Sequence, residues 1–192
     1  MIKHNCVISV DGFSLKTQQG VVKLADRIEE NIMLQAFLRS VDLGASRYNL
    51  VDGMVDRYQD ETGIDTGSCV NQVYDGTNHL YSPSGAYNNM TLQSIAFVAA
   101  STPQDARLVI FEEDVSSITL NTDIKGWISR DGGTTWSQVT LANEGNYQSP
   151  RRVLAGIVDL VPQPVQSVYN VKYKVTTHNN KNLKLYGASL SW

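Results

Sequence analysis

The chain has little cysteine, little histidine and no excess of either charge. Its two cysteines, Cys6 and Cys69, are far apart and form no C-x-x-C pair, so neither a zinc ribbon nor a disulfide framework is indicated. That usage suits a reducing folding compartment, with each thiol behaving as a small apolar group. His4, His79 and His178 stand in unrelated contexts, none beside a second histidine or a carboxylate at metal-ligand spacing. Lys+Arg number 16 and Asp+Glu 19, a net charge of -3 with neither sign clustered, which excludes the basic footprint of a nucleic-acid or anionic-membrane surface. No apolar run approaches the roughly 20 residues of a membrane-spanning helix, so no membrane insertion is expected. The first residues lack the charged head, apolar middle and small-residue cleavage site of a secretory signal. No G-x-S-x-G elbow, Walker loop or dinucleotide fingerprint occurs.

What the chain does have is β patterning over its second half. Strands are predicted over 90–100, 106–112, 124–129, 135–141, 152–160, 168–177 and 183–192, divided by turn clusters such as Ser101-Thr102-Pro103, Gly145-Asn146 and Asn179-Asn180-Lys181-Asn182. Short strands at that spacing, without intervening helices, mean an antiparallel sandwich or barrel. Residues 52–83 are rich in Asp, Asn, Gly, Ser and Thr and read as a turn-rich connection with one strand near 50–58. Ahead of this lie a strand-like stretch at 2–10 and one amphipathic helix at 20–40. In that helix Leu24, Ile28, Ile32 and Phe37 form an apolar stripe opposite Arg27, Glu30, Gln35 and Arg39. The chain divides on this reading into residues 1–50, an assembly or docking segment, and residues 51–192, a β-sandwich. The stripe suits packing on the same chain or a symmetry mate, or docking onto a larger assembly.

The most specific motif is Ser129-Arg130-Asp131-Gly132-Gly133-Thr134-Thr135-Trp136, which reads S-x-D-x-G-x-T-W and resembles an Asp-box. Asp131 can accept hydrogen bonds from the amides that follow it, and Gly133 tolerates the positive φ of a tight turn. Trp136 can then fold its apolar face over that turn. Asp-boxes recur in sialidase propellers, where they are structural. One copy with no blade-length repeat argues against a propeller. Ser129, Asp131, Gly133 and Trp136 are therefore expected to build a hairpin turn, and packing has the first claim on Trp127 and Trp136.

Chemistry is sparse, and no catalytic residue is assigned. Glu112 and Asp114 would share one face of a strand, about 6.5–7 Å apart along it, a spacing open to glycoside hydrolases. Val115, Ser116 and Ser117 follow where jelly-roll glucanases carry a third carboxylate. Asp60, Glu61, Asp65 and Asp75 crowd one turn-rich region, as calcium ligands would, but lack an EF-hand register, and solvated turn acids are the favoured reading. No metal or other cofactor is assigned beyond that calcium option. Tyr74, Tyr81, Tyr87 and Tyr147 fall in loop-like segments, where aromatics are free to meet a ligand or neighbouring subunit.

Asp60-Glu61-Thr62-Gly63-Ile64-Asp65-Thr66, Tyr74-Asp75-Gly76-Thr77-Asn78 and Tyr81-Ser82-Pro83 together resemble segments of tailed-bacteriophage virion structural proteins, of tail, tail-fibre or capsid-surface type. Glu112-Glu113-Asp114, Leu120-Asn121-Thr122-Asp123, the Asp-box and the closing stretch 179–192 look similar to the same proteins, so the resemblance covers 50–192. It implies a jelly-roll-like antiparallel sandwich, which together with the helix read from periodicity gives the expected fold class: mainly β, with one N-terminal amphipathic helix. It also implies a non-enzymatic role in virion assembly, stabilisation or host attachment, with localisation in a virion assembled in the host cytoplasm. Other virion proteins are the expected partners, with a homo-oligomer, a trimer by preference, as the expected state. A carbohydrate-binding, calcium-assisted lectin-like module directed at host-surface glycan is the alternative, and a glycoside hydrolase or depolymerase the third reading.

Overall fold

Alternation fixes the strands. Ala106, Leu108 and Ile110 are buried on one face of a strand while Arg107, Val109 and Phe111 take the other. In the computed structural model the described residues are 52–192 with Leu50, and Asn31, Ile32 and Gln35, which are helical. The predicted strand at 2–10 and the rest of the helix at 20–40, including Leu24, Ile28 and Phe37, lie outside the described residues.

Among the described residues twelve strands follow in chain order: β1 Gly53–Asp56, β2 Gln72–Asp75, β3 Leu80–Pro83, β4 Thr91–Gln93, β5 Phe97–Val98, β6 Asp105–Asp114, β7 Ile124–Ser129, β8 Ser137–Val139, β9 Ala142–Gln148, β10 Arg151–Asp159, β11 Asn170–Thr177 and β12 Leu183–Ser191. They form two antiparallel sheets in a sandwich. The seven-stranded sheet runs β2-β3-β12-β6-β10-β9, with β1 also on β12, and the five-stranded sheet runs β4-β11-β7-β8, with β5 also on β11. The pairs β3·β12, β4·β11, β6·β10 and β7·β8 nest one inside the next, as in one long hairpin rolled up. Successive pairs fall alternately in the two sheets, which is the connectivity of a jelly roll.

The core lies between the sheets. Leu108, Ile110, Leu154, Ala188 and Leu190 from the larger sheet meet Ile124, Ile128, Val171, Tyr173 and Val175 from the smaller. Each buried Leu, Ile or Val among these contributes about 1.5–3 kcal/mol. Tyr58 caps one end, edge-on to Tyr81 at 5.0 Å between centroids, its hydroxyl 3.4 Å from that of Tyr173. At Gly156 the sheets come so close that a Cβ would lie 2.2 Å from the Thr140 carbonyl oxygen.

Three strand expectations change. The predicted strand 90–100 is two short ones, β4 and β5, both on β11. The break holds Ser94, whose amide donates to the Tyr173 carbonyl and whose hydroxyl accepts from the Tyr173 amide. The predicted strand 135–141 contracts to β8, because the Asp-box turn occupies the residues before it. Gly145-Asn146, expected as a turn between strands, lies inside β9, where Gly145 at φ 105° accompanies a break in register against β10. The turn-rich region also contains a hairpin, β2 with β3, that its composition conceals.

Candidate functional site

The site is assembled on the outer face of the five-stranded sheet, and strand parity decides which residues reach it. Ile124 and Ile128 are fully buried, and a Cβ on Gly126 would lie 2.7 Å from Leu108 Cδ2, so these three face the core. Lys125 and Trp127 therefore face out. By the same alternation Val171, Tyr173 and Val175 point in and Lys172, Lys174 and Thr176 out, while Leu92 points in and Thr91 and Gln93 out. In register, Lys174 stands opposite both Gln93 and Trp127, and Trp127 opposite Gln138. One row thus reads Gln93, Lys174, Trp127, Gln138 across four strands. The next row reads Thr91, Thr176, Lys125. Trp127 anchors its ring by donating Nε1–H to Thr176 Oγ1 at 3.1 Å, and that oxygen also lies 3.1 Å from His178 Nε2.

The Asp-box adds the second indole. Ser129 Oγ donates to Asp131 Oδ1 at 2.7 Å and accepts from the Gly133 amide at 2.8 Å. Asp131 Oδ1 accepts from the Thr134 and Thr135 amides at 3.1 and 2.9 Å, and Oδ2 accepts from the Thr135 hydroxyl at 2.7 Å. Burial opposes ionisation of Asp131, but the bonds from Thr135, Ser129 and Thr134 outweigh it and hold the carboxyl below its usual range. Gly133, at φ 97°, takes a conformation few side chains tolerate, and a Cβ there would meet Trp136, Gln93 and Lys172 within 4 Å. The turn thus folds back over the sheet. Trp136 donates its Nε1–H to the Gly133 carbonyl at 2.9 Å and comes to rest beside Lys174.

The resulting surface has two half-buried indoles around one ammonium. Lys174 Nζ lies 4.1 Å from the centroid of Trp136 and 5.5 Å from that of Trp127. The two rings are consequently separated by no more than the length of one or two sugar units. Burial lowers the Lys174 pKa below its ordinary value. Neighbouring Lys172, by contrast, is paired with Asp65 at 2.9 Å.

Beneath the turn, Arg130 and Gln163 form its foundation. The Arg130 guanidinium donates to the carbonyls of Pro103, Val161 and Gln163. The Gln163 side chain accepts from the Arg130 amide at 2.8 Å and donates to the Ile128 carbonyl and the Ser137 hydroxyl, each at 2.9 Å. Neither residue stands out in the sequence, since Arg130 fills an unspecified place in the Asp-box pattern. The outward aim of Trp127 had a readable signal: the inward alternation Ile124, Gly126, Ile128 leaves it no other face.

The other sequence-selected residues are scattered. Tyr81 is fully buried and unavailable to a ligand. Tyr74 donates to the Tyr58 carbonyl and packs on Tyr81, and Tyr147 lays its ring against Phe111 beneath the opposite sheet. Tyr87 alone is exposed among the four, at 44%. Glu112 and Asp114 do share a face, but it is the inner one. Arg152 donates to both, at 2.7 and 2.6 Å, and Glu112 has no exposed side-chain surface for a substrate to touch. Burial and the neighbouring Asp114 push the Glu112 pKa up to about 8. The acids of the calcium expectation have separate occupations: Asp60 caps Thr62, Glu61 accepts from the Tyr81 hydroxyl, Asp65 pairs with Lys172 and Asp75 caps Thr77 and Asn78. Among the described residues no group of three or more metal-binding side chains comes together, and no helix is long and apolar enough to cross a membrane. Cys69 is a free thiol that accepts from the Gln93 amide.

No protein-family model matches the sequence, and no curated protein does. Among solved structures the chain is similar to a low-affinity xylan-binding module of the gut symbiont Roseburia intestinalis. The TM-score is 0.40 and the identity 8%, over 73% of this chain and 95% of that module. A likeness of that size says nothing of what this chain binds.

Proposed function

We propose that the protein is a non-catalytic saccharide-binding β-sandwich whose binding face is the outer surface of the five-stranded sheet. The observation that carries this reading is the placement of Trp127 and Trp136, both half-buried, on one face around Lys174. Trp127 lies in one row with the amides of Gln93 and Gln138. A pyranose presents an apolar C–H face and a polar rim. Indole faces receive the first, while amides, hydroxyls and an ammonium receive the second. The strands hold these groups rigidly, so little ordering is lost on binding. Isothermal titration or affinity electrophoresis of the full chain against a polysaccharide panel tests the reading. Trp127→Ala and Trp136→Ala should each weaken binding tenfold or more, about 1.4 kcal/mol, without release of reducing sugar by the parent protein. Binding untouched by either change would sink it.

The resemblance of 50–192 to tailed-phage structural proteins supplies a setting. The sandwich would be carried on a virion by residues 1–50 and present its tryptophan face to glycans of the host surface. Imaging of labelled protein on intact particles tests this, as does incorporation of a chain lacking residues 20–40. Full incorporation of that deletion would remove the docking role.

A further inference from the structure

We infer that the saccharide this face takes is anionic, bearing a carboxylate or sulfate that docks on Lys174 between the two indoles. The inference rests on the saccharide-binding reading and specifies its ligand class. Its basis is an imbalance of charge confined to one patch. Three lysines, Lys125, Lys172 and Lys174, project from the outer face of the five-stranded sheet. Lys172 is neutralised by Asp65. Two further acids border the face and both are engaged elsewhere: Asp131 spends its oxygens on Ser129, Thr134 and Thr135 inside the turn, and Asp123 accepts from the Thr119 amide and Asn179 with Lys181 3.9 Å away. Among the described residues no carboxylate pairs with Lys174 or Lys125. The whole chain is slightly acidic, at -3, so this patch runs against the overall balance.

Lys174 is the more informative of the two. Its ammonium is held where water is partly excluded, and the rings of Trp136 and Trp127 supply only their quadrupoles in compensation. Partial desolvation leaves the charged form under-stabilised, in keeping with the lowered pKa. An anion arriving on a sugar stacked against either indole would restore what is missing. It would do so where the surrounding rings reduce screening and strengthen the pairing. Lys125 lies one row away, across β7 and β11 from Thr176, and adds a second positive group for a neighbouring sugar unit. A neutral sugar would satisfy the indoles and amides but leave both ammonium groups as they are.

Matched ligand pairs test this on the full chain: polygalacturonate and alginate beside their carboxyl-reduced counterparts, and chondroitin sulfate beside its desulfated form. The expected result is at least tenfold tighter binding to one acidic member than to its matched partner, with affinity falling as salt rises. Lys174→Met should abolish that preference, whereas Lys174→Arg should keep it, and both should melt like the parent. The carboxylate and sulfate arms identify which anion is read. Equal binding within every pair, or a preference that survives Lys174→Met, overturns the inference while leaving the saccharide reading in place. Failure of both members of every pair to bind, together with neutral xylan and cellulose oligomers, overturns the two together.

Discussion

Replacing Asp131 by alanine should cost the protein a large share of its stability and displace half of its proposed binding surface. The Asp131 carboxylate accepts from two backbone amides and two hydroxyls. Hydrogen bonds to a charged group are worth about 1.5–3 kcal/mol each when left unmade in a buried place. Not all of that is lost. Thr134 is exposed and its amide rehydrates cheaply, and the hydroxyls of Ser129 and Thr135 can turn towards water. The half-buried Thr135 amide has no such recourse, so a net loss of about 2–4 kcal/mol is expected. Asp131→Asn retains one acceptor oxygen and should cost about half as much. Urea unfolding at pH 7 measures both as shifts in midpoint at constant slope. The pH dependence gives an independent check. The folded-state pKa of Asp131 is depressed, so its contribution is present above the carboxylate's ordinary range near 4 and is lost as pH falls through the lower folded value. The gap between parent and variant should therefore close in acid. A loss under about 0.5 kcal/mol, or one that persists unchanged at low pH, would refute the reasoning.

Glu112 should show the opposite linkage. Its folded pKa is raised to about 8 from an ordinary 4.5, so the stability it supports is complete below 4.5 and declines as pH rises through 8. Glu112→Gln mimics the protonated acid. It should match the parent near pH 4 and exceed it above pH 8, by at most about 5 kcal/mol in thermal or urea unfolding. Gly156→Ala should cost about 3 kcal/mol or more, since its Cβ meets the Thr140 carbonyl at 2.2 Å. Gly126→Ala should cost less, because the nearest atom is the movable end of Leu108. Gln163→Leu strips the buried Arg130 amide and the Ile128 carbonyl of their partners. It should lower stability by about 2 kcal/mol and weaken saccharide binding through the misplaced turn.

Strand parity made much of this fold readable. The long strands β6, β7, β11 and β12 alternate or are largely buried, β10 carries a mostly apolar run from Val153 to Val158, and each was expected within a few residues of where it lies. The hairpin β2–β3 was hidden because Gln72, Val73 and Asp75 face solvent or half-buried surroundings, and its anchors are few: Tyr74 and Tyr81 in the main core and Leu80 in a second cluster. Strand β9, Ala142–Gln148, was equally opaque. It is an edge strand whose first five residues are exposed, so no apolar periodicity marks it, and its Asn and Gly content imitates a turn. The proposed binding face was half legible. The Asp-box announced a turn and placed Trp136 on it. That Trp136 lands beside Lys174 depends on the β7–β11 register, which pairs residues nearly fifty positions apart and leaves no local trace. The burial of Tyr81 was hidden for a related reason. Tyr81 lies in a loop-like composition, but its place on β3 turns it into the core.

The most direct test uses the indole N–H resonances of the chain's three tryptophans during titration with saccharide. Trp127 and Trp136 lie on the proposed face, whereas Trp192 is 7% exposed and packs in the core. If that face binds, the two outer indole signals shift together with one saturating affinity while Trp192 stays in place. Saturable binding that leaves Trp127 and Trp136 unmoved, or that moves Trp192 alone, would contradict the assignment of the site.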